Sequence, residues 1–294
     1  MIIQFTKMIL LTILLGFIYA IIFLILALIV LCFFMNRRPV VKSDYFKNIP
    51  DLMPIEKKYT NKGNYDVSYY EQPINDKSIS IEKILIWYPS ELSMNKNYNR
   101  KYPLVIMANG SGINASRYKP IFDHLASWGF IVAGNEDKSS GNGKSSSFTL
   151  DYMIELNSNE TSQFYNKIDL NNIGIGGHSQ GGLGSINCVT AQENGNKFKV
   201  IYTASAPSIG ISKDLIKAPY NLENLNIPYF QNAGTLKLDA GIDENSGIAN
   251  LSSMNEKYNS VSENVPKIMA RRLNIDHGDM LTHADGYMTA WFMF

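Results

Sequence analysis

Apolar residues are spread unevenly along this chain. From Met8 to Met35, 28 residues pass without a charged side chain, and Thr12, Gly16, Tyr19 and Cys32 interrupt a run of Leu, Ile, Val and Phe. As a helix this stretch spans roughly 40 Å at ~1.5 Å per residue, more than the ~30 Å hydrocarbon core of a bilayer. It has no polar face, so it does not suit a core helix of a globular domain. A cleavable secretory signal has an apolar region of only ~7–15 residues followed by an A-x-A-like site, and none occurs before Arg37. Nor does Cys32 read as a lipoprotein cysteine, since Val30 and Leu31 precede it where a small residue is required. Residues 1–35 are therefore expected to be a membrane anchor inserted through 8–35. Lys7 stands before the span and Arg37, Arg38, Lys42 and Lys47 after it, which the positive-inside rule alone reads as a cytoplasmic domain. Large translocated domains override that rule, so the side stays open.

Past the span the pattern changes twice. Residues 36–64 scatter Pro39, Pro50 and Pro54 among charges and Asn, which predicts a tether. From Tyr65 onward, short apolar runs bounded by turn residues alternate with stretches of helical spacing. Strands are expected at 65–70, 79–88, 103–108, 130–133, 173–176, 200–204, 227–232 and 265–270. Helices are expected over 118–128, 149–165, 186–192 and 251–258, with a last one from Asp285; the Ser/Gly stretch 139–147 reads as a loop. No 20–50-residue repeat occurs. Such alternation predicts an α/β domain, 65–294, with a mainly parallel sheet covered on both faces.

Composition narrows the class. Charged residues make up 18% of the chain, below the roughly 25% of soluble domains, mainly because of the apolar run. Lys and Arg number 27 against 26 Asp and Glu, so no field attracts a phosphate polymer and nucleic acid is not an expected partner. Aromatics at 12% can bury enough surface to exclude disorder. With Cys32 in the span and Cys188 in a helix, neither a disulfide framework nor a Cys-rich metal site can be built.

The chemistry concentrates at Gly177-His178-Ser179-Gln180-Gly181, a G-x-S-x-G motif between an expected strand and an expected helix. A serine on so sharp a turn tolerates only small residues two positions to either side. Its hydroxyl needs a base, and the base an orienting acid. After Ser179 only His277 and His283 remain; His277 lies on the loop after the last strand and is preferred. His124 reads as a packed or surface histidine, and His178 as orienting the elbow. No carboxylate closely follows 200–204, whereas Asp239 and Asp243 follow 227–232; Asp239, the nearer, is preferred, with Asp214 the next alternative. Oxyanion donors are expected from the amides of Gln180 and Ser111, with Gly112 second, because Asn109-Gly110-Ser111-Gly112 follows the third strand. Gly143-Lys144-Ser145 is not a phosphate loop, since Lys138 occupies the first glycine's place. No H-E-x-x-H or G-x-G-x-x-G occurs either, so no metal or dinucleotide is suggested and no cofactor is expected.

These residues make residues 65–294 resemble the α/β-hydrolase superfamily, in its branch of chlorophyllases, cutinase-like polyester hydrolases and dienelactone-hydrolase-like enzymes. The likeness rests on NGSG at 109–112, GHSQGG at 177–182, the Asp after 227–232 and DHGDM around His277. It implies an eight-stranded, mainly parallel sheet and cofactor-free hydrolysis of carboxylic esters, small or lipid-like, through an acyl-serine. Asp239 follows Gly234 by five residues where the family usually has three, and the chain stops at Phe294, so the last helix is expected to be short. Two other functions fit the same residues: an amidase or peptidase with this triad, and a non-catalytic anchored binding protein on a hydrolase scaffold.

Overall fold

The computed structural model describes residues 2–37, 41–49, 53–74, 81–94, 99–243 and 246–294. Contacts divide the chain into two units, Met1–Val40 and Val41–Phe294. The first is a single helix, α1 (Ile2–Arg37). Its stretch Thr12–Val30, with mean hydropathy 3.2 and no buried residue, is long and apolar enough to be a membrane span or a signal sequence.

The second unit is built on eight strands: β1 (Val67–Pro73), β2 (Lys83–Pro89), β3 (Tyr102–Ala108), β4 (Ile131–Asn135), β5 (Ile168–His178), β6 (Val200–Ala204), β7 (Tyr229–Gly234) and β8 (Lys267–Arg272). Their order is β1-β2-β4-β3-β5-β6-β7-β8. β1 and β2 pair antiparallel, as do β2 and β4, and every later pairing is parallel. The expected α/β class and mainly parallel sheet are thus present. Alternation along the strands feeds two cores: Leu104 and Ile106 of β3 pack into one, Val105 and Met107 into the other. Covered on both faces, the central strands read as unbroken apolar runs. The edge strands β1 and β8 bury their residues only in part.

The longer helices of this unit are α2 (Pro54–Thr60), α3 (Lys119–Ser127), α4 (Lys144–Ser158), α5 (Gln180–Ala191), α6 (Leu251–Ser260) and α7 (Asp285–Met293). α4 starts inside the stretch expected to be a loop and ends before the expected 165. Gly143 starts it in the left-handed region at φ 76°, pressed so close to α5 that a Cβ would lie 2.4 Å from the Cys188 nitrogen. The small Ser145 and Ser146 that give the stretch its loop-like composition are buried, and Asn135 donates to Ser145 O and, further along α4, to Thr149 Oγ1.

The expected tether 36–64 also requires correction, because the domain begins at Val41 rather than Tyr65. α2 lies against α7 so closely that a Cβ on Gly286 would sit 2.4 Å from Thr60 Oγ1. Glu56, fully buried, pairs with Arg272 at 2.7 Å, and Tyr45 donates a hydrogen bond to Asp285. These anchors have no periodicity, and each finds its partner more than 200 residues away, so a local pattern cannot show them.

Candidate active site

The carboxyl ends of β5 to β8 line up along one sheet edge, where a parallel sheet collects its functional loops. β5 runs directly into Ser179, which stands at φ 57° and ψ −125° before α5 begins. A non-glycine residue in that region is strained, and the surroundings hold it there. The Ser179 amide donates to Ala204 O at 2.9 Å. A Cβ on Gly177 would fall 2.4 Å from Gly181 C, and one on Gly181 would fall 2.2 Å from Ala108 O. The two glycines of the motif are therefore required by the closeness of the turn to its own helix and to β3.

Ser179 Oγ lies 2.9 Å from His277 Nε2, and His277 Nδ1 lies 2.7 Å from Asp239 Oδ1. Asp239 accepts at its other oxygen from Ser205 Oγ at 2.5 Å and from the Gly234 amide at 2.7 Å. Burial acts to raise the Asp239 pKa, but the hydrogen bonds from His277, Ser205 and Gly234 outweigh it and hold the carboxyl below its ordinary range. With Asp239 accepting at Nδ1, the neutral ring places its proton there. Nε2 is then left to accept from Ser179, so the residues proposed as nucleophile, base and acid form one hydrogen-bonded chain.

Asp239 stands in a short helical turn, Lys237–Ala240, rather than on an open loop. That turn accounts for the long spacing from Gly234, because the helix folds the carboxyl back toward the strand end. Asp243 and Asp214, the alternatives, are exposed. His283 bonds locally, to Asp279 O and Thr282.

Of the expected oxyanion donors, Gly112, the second choice, has committed its amide to Lys138 O at 2.9 Å, as its neighbour Gly110 has to Tyr118 Oη at 3.3 Å. Among the described residues no acceptor faces the amide of Ser111 or that of Gln180. The NGSG turn is fixed from below: the buried Asn109 donates to Asn135 O and Asp137 O, both at 2.7 Å, and Ser140 donates to Asn109 O.

Several further residues support this arrangement; of these, Ser205 and Lys257 carry no signal in the sequence, and the roles of Asp276 and His178 at the histidine's loop appear only in the fold. Asp276 Oδ1 accepts from the amides of Leu238, Asp239 and His277, tying the acid's turn to the histidine's loop. Ser205 holds φ 50° to reach Asp239. His178 packs its ring 4.7 Å from that of His277 and donates from Nε2 to His277 O at 2.6 Å. Burial, with the neighbouring His277, pushes the His178 pKa down to about 4, so His178 is a neutral brace for the histidine loop. Lys257 of α6, buried, donates to Ala206 O at 2.6 Å; burial pushes its pKa down to about 8.

Residues 78–209, just under half of the chain, match the model of the PETase family, described as PET hydrolase-like. That is a polyester hydrolase and cutinase-like family of α/β-hydrolases, the branch that the motifs resemble. The matched span includes the NGSG turn and Ser179 and stops before Asp239 and His277. A comparison with curated proteins returned no match.

Proposed function

We propose that this protein is a membrane-tethered serine hydrolase that cleaves carboxylic esters. The observation that carries the reading is the chain of hydrogen bonds from Ser179 through His277 to the buried Asp239. In this reading Ser179 Oγ attacks the ester carbonyl while His277 Nε2 takes its proton, and Asp239 stabilises the imidazolium that forms. The charge developing on the carbonyl oxygen meets the amides of Ser111 and Gln180. His277 then protonates the departing alkoxide, and the acyl group stays on Ser179. A water that gives its proton to His277 attacks the acyl carbon, and collapse of the second tetrahedral intermediate releases the acid and returns the proton to Ser179. Such amides act strongly because they are already oriented and need no reorganisation as charge appears.

A fluorophosphonate probe tests this directly, since it phosphonylates an activated serine. Folded wild-type protein should be labelled and Ser179→Ala should not; an unlabelled wild type excludes the proposed chemistry. The tether is supported by the 19-residue apolar stretch of α1. After a carbonate wash the full-length protein should stay with the membrane, while a chain shortened to begin at Val41 should be soluble. Release of the full-length chain would exclude the anchor.

A further inference from the structure

The reaction proposed above uses Ser179, His277, Asp239 and two amides, and it leaves one buried ionisable group without a part. Lys257 of α6 is 1% exposed, and its Nζ donates to Ala206 O at 2.6 Å. Among the described residues no carboxylate pairs with it. A cation set against one carbonyl is costly to bury, and a lysine is almost never fully buried without a counter-charge. Burial pushes the Lys257 pKa down to about 8, while the charges of Asp239 and Glu256 act to raise it, so the amine still carries its proton at pH 7.

The carbonyl that Lys257 grips belongs to the turn after β6, and this turn joins the two ends of the proposed triad. Ala204 O accepts from the amide of Ser179 at 2.9 Å, and Ser205 Oγ donates to Asp239 Oδ2 at 2.5 Å. Ser205 stands at φ 50°, a region that a non-glycine residue keeps only when its surroundings hold it. The hold is spread along the turn: Ser205 donates its amide to Asn232 O at 2.8 Å, Lys257 takes Ala206 O, and Tyr220 Oη donates to Pro207 O at 2.8 Å. The charged groups around Lys257 are Asp239 on the acid's turn, Glu256 on α6 itself and Arg271 of β8, which donates to Gly234 O while the Gly234 amide donates to Asp239. His277 lies on the other oxygen of Asp239.

We propose that Lys257 is a positioning residue for the reaction at Ser179: its ammonium locks the turn that links nucleophile to acid, and its charge beside Asp239 opposes protonation of His277. The proposal rests on the hydrolase reading of the site. Like charges repel, so an ammonium near the pair disfavours a second positive charge on the imidazole. Removing that charge should move the acid limb of activity to higher pH. Loosening the turn alone lowers the rate at every pH and leaves the limb in place.

The test is the rate of fluorophosphonate labelling of full-length protein in detergent micelles from pH 5 to 9, taken per folded molecule. At pH 8 Lys257→Met should label at least tenfold more slowly than wild type, and its acid midpoint should rise by about half a pH unit or more. Lys257→Gln removes the charge but keeps a donor on the side chain, and it carries the test if Lys257→Met does not fold. It should show the same raised midpoint with a smaller loss of rate. A midpoint unmoved in either folded variant overturns the role of the charge, and a rate within twofold of wild type in Lys257→Met overturns the lock on the turn. An unlabelled wild type overturns the hydrolase reading and this proposal with it, whereas labelled wild type beside variants that match it overturns the part of Lys257 alone.

Discussion

The domain contains two histidine–aspartate pairs of nearly the same geometry. His277 Nδ1 lies 2.7 Å from Asp239, and His124 Nδ1 lies 2.7 Å from Asp285; both aspartates are fully buried. The pairs differ at the other ring nitrogen. Nε2 of His277 faces the hydroxyl of Ser179, which can donate to it. Nε2 of His124 faces the carbonyl of Asn61 at 2.9 Å, which can only accept. Trp128 Nε1 lies 3.4 Å from the same nitrogen and donates to the same carbonyl at 3.0 Å, so His124 Nε2 sits among fixed structural partners. Burial acts to lower the His124 pKa, but the charge of Asp285, the hydrogen bond to it and the nearby carbonyls of Asn61 and Thr60 outweigh burial and raise it. A histidine beside a carboxylate can thus serve a nucleophile only when a hydroxyl occupies its far side. His124 instead fastens the segment around Asn61 to the rest of the domain.

The largest effect that would sharpen this contrast is expected at Ser179, the proposed nucleophile. Ser179→Ala should lower kcat on a short nitrophenyl ester by up to ~10⁶-fold while leaving the thermal midpoint nearly unchanged. Next comes Asp239→Asn, for which a loss of about 10⁴ in kcat is expected because the amide favours the wrong tautomer of His277. At the other pair the loss should appear in stability. Asp285→Asn removes the counter-charge of the buried His124–Asp285 pair and should cost about 3–5 kcal/mol in urea unfolding, with kcat per folded molecule within about threefold of wild type. Loss of activity without loss of stability in Asp285→Asn would break the comparison.

Acidity should separate the two regions as well. The raised pKa of His124 adds stability that is complete below the ordinary histidine value near 6.5 and is lost as pH rises through the folded value. His178 behaves oppositely: neutral in the fold to about pH 4, it favours unfolding as pH falls from 6.5 to 4, by about 3 kcal/mol at most. Urea midpoints measured from pH 4 to 9 should therefore decline on both sides, and Asp285→Asn should flatten the alkaline decline while sparing the acid one. The smallest effect is expected from Asp243→Asn, exposed on the domain surface, which should keep at least a tenth of wild-type activity. A loss larger than that of Asp239→Asn would move the acid's role to Asp243.

Local sequence carries the parts of this molecule that depend on neighbouring residues. Strand β6 lies where the apolar run 200–204 stands, and the two glycines flanking Ser179 announce the turn because no larger side chain fits beside Ala108 and Gly181. Only the first turn of helix α4 escapes a local reading, because Gly143 and the serines after it have the composition of a loop, whereas here Gly143 allows close packing on α5. Asp239 stands out from Asp243 and Asp214 in the sequence only by nearness to β7. What places its carboxyl on His277 is the helical turn 237–240, capped by Asp276 from across the sheet edge.

What the sequence determined by itself was therefore the alternation of strand and helix, the apolar span and the serine's turn, since each follows from periodicity or from sterics within a few residues. The tertiary structure alone decided which histidine meets a hydroxyl and which meets a carbonyl, and that Tyr45 and helix α2 pack on the domain. Those outcomes depend on partners 38 to 240 positions apart in the chain, and an isolated Asp, His or Glu carries no mark of what will stand opposite it once the sheet has closed.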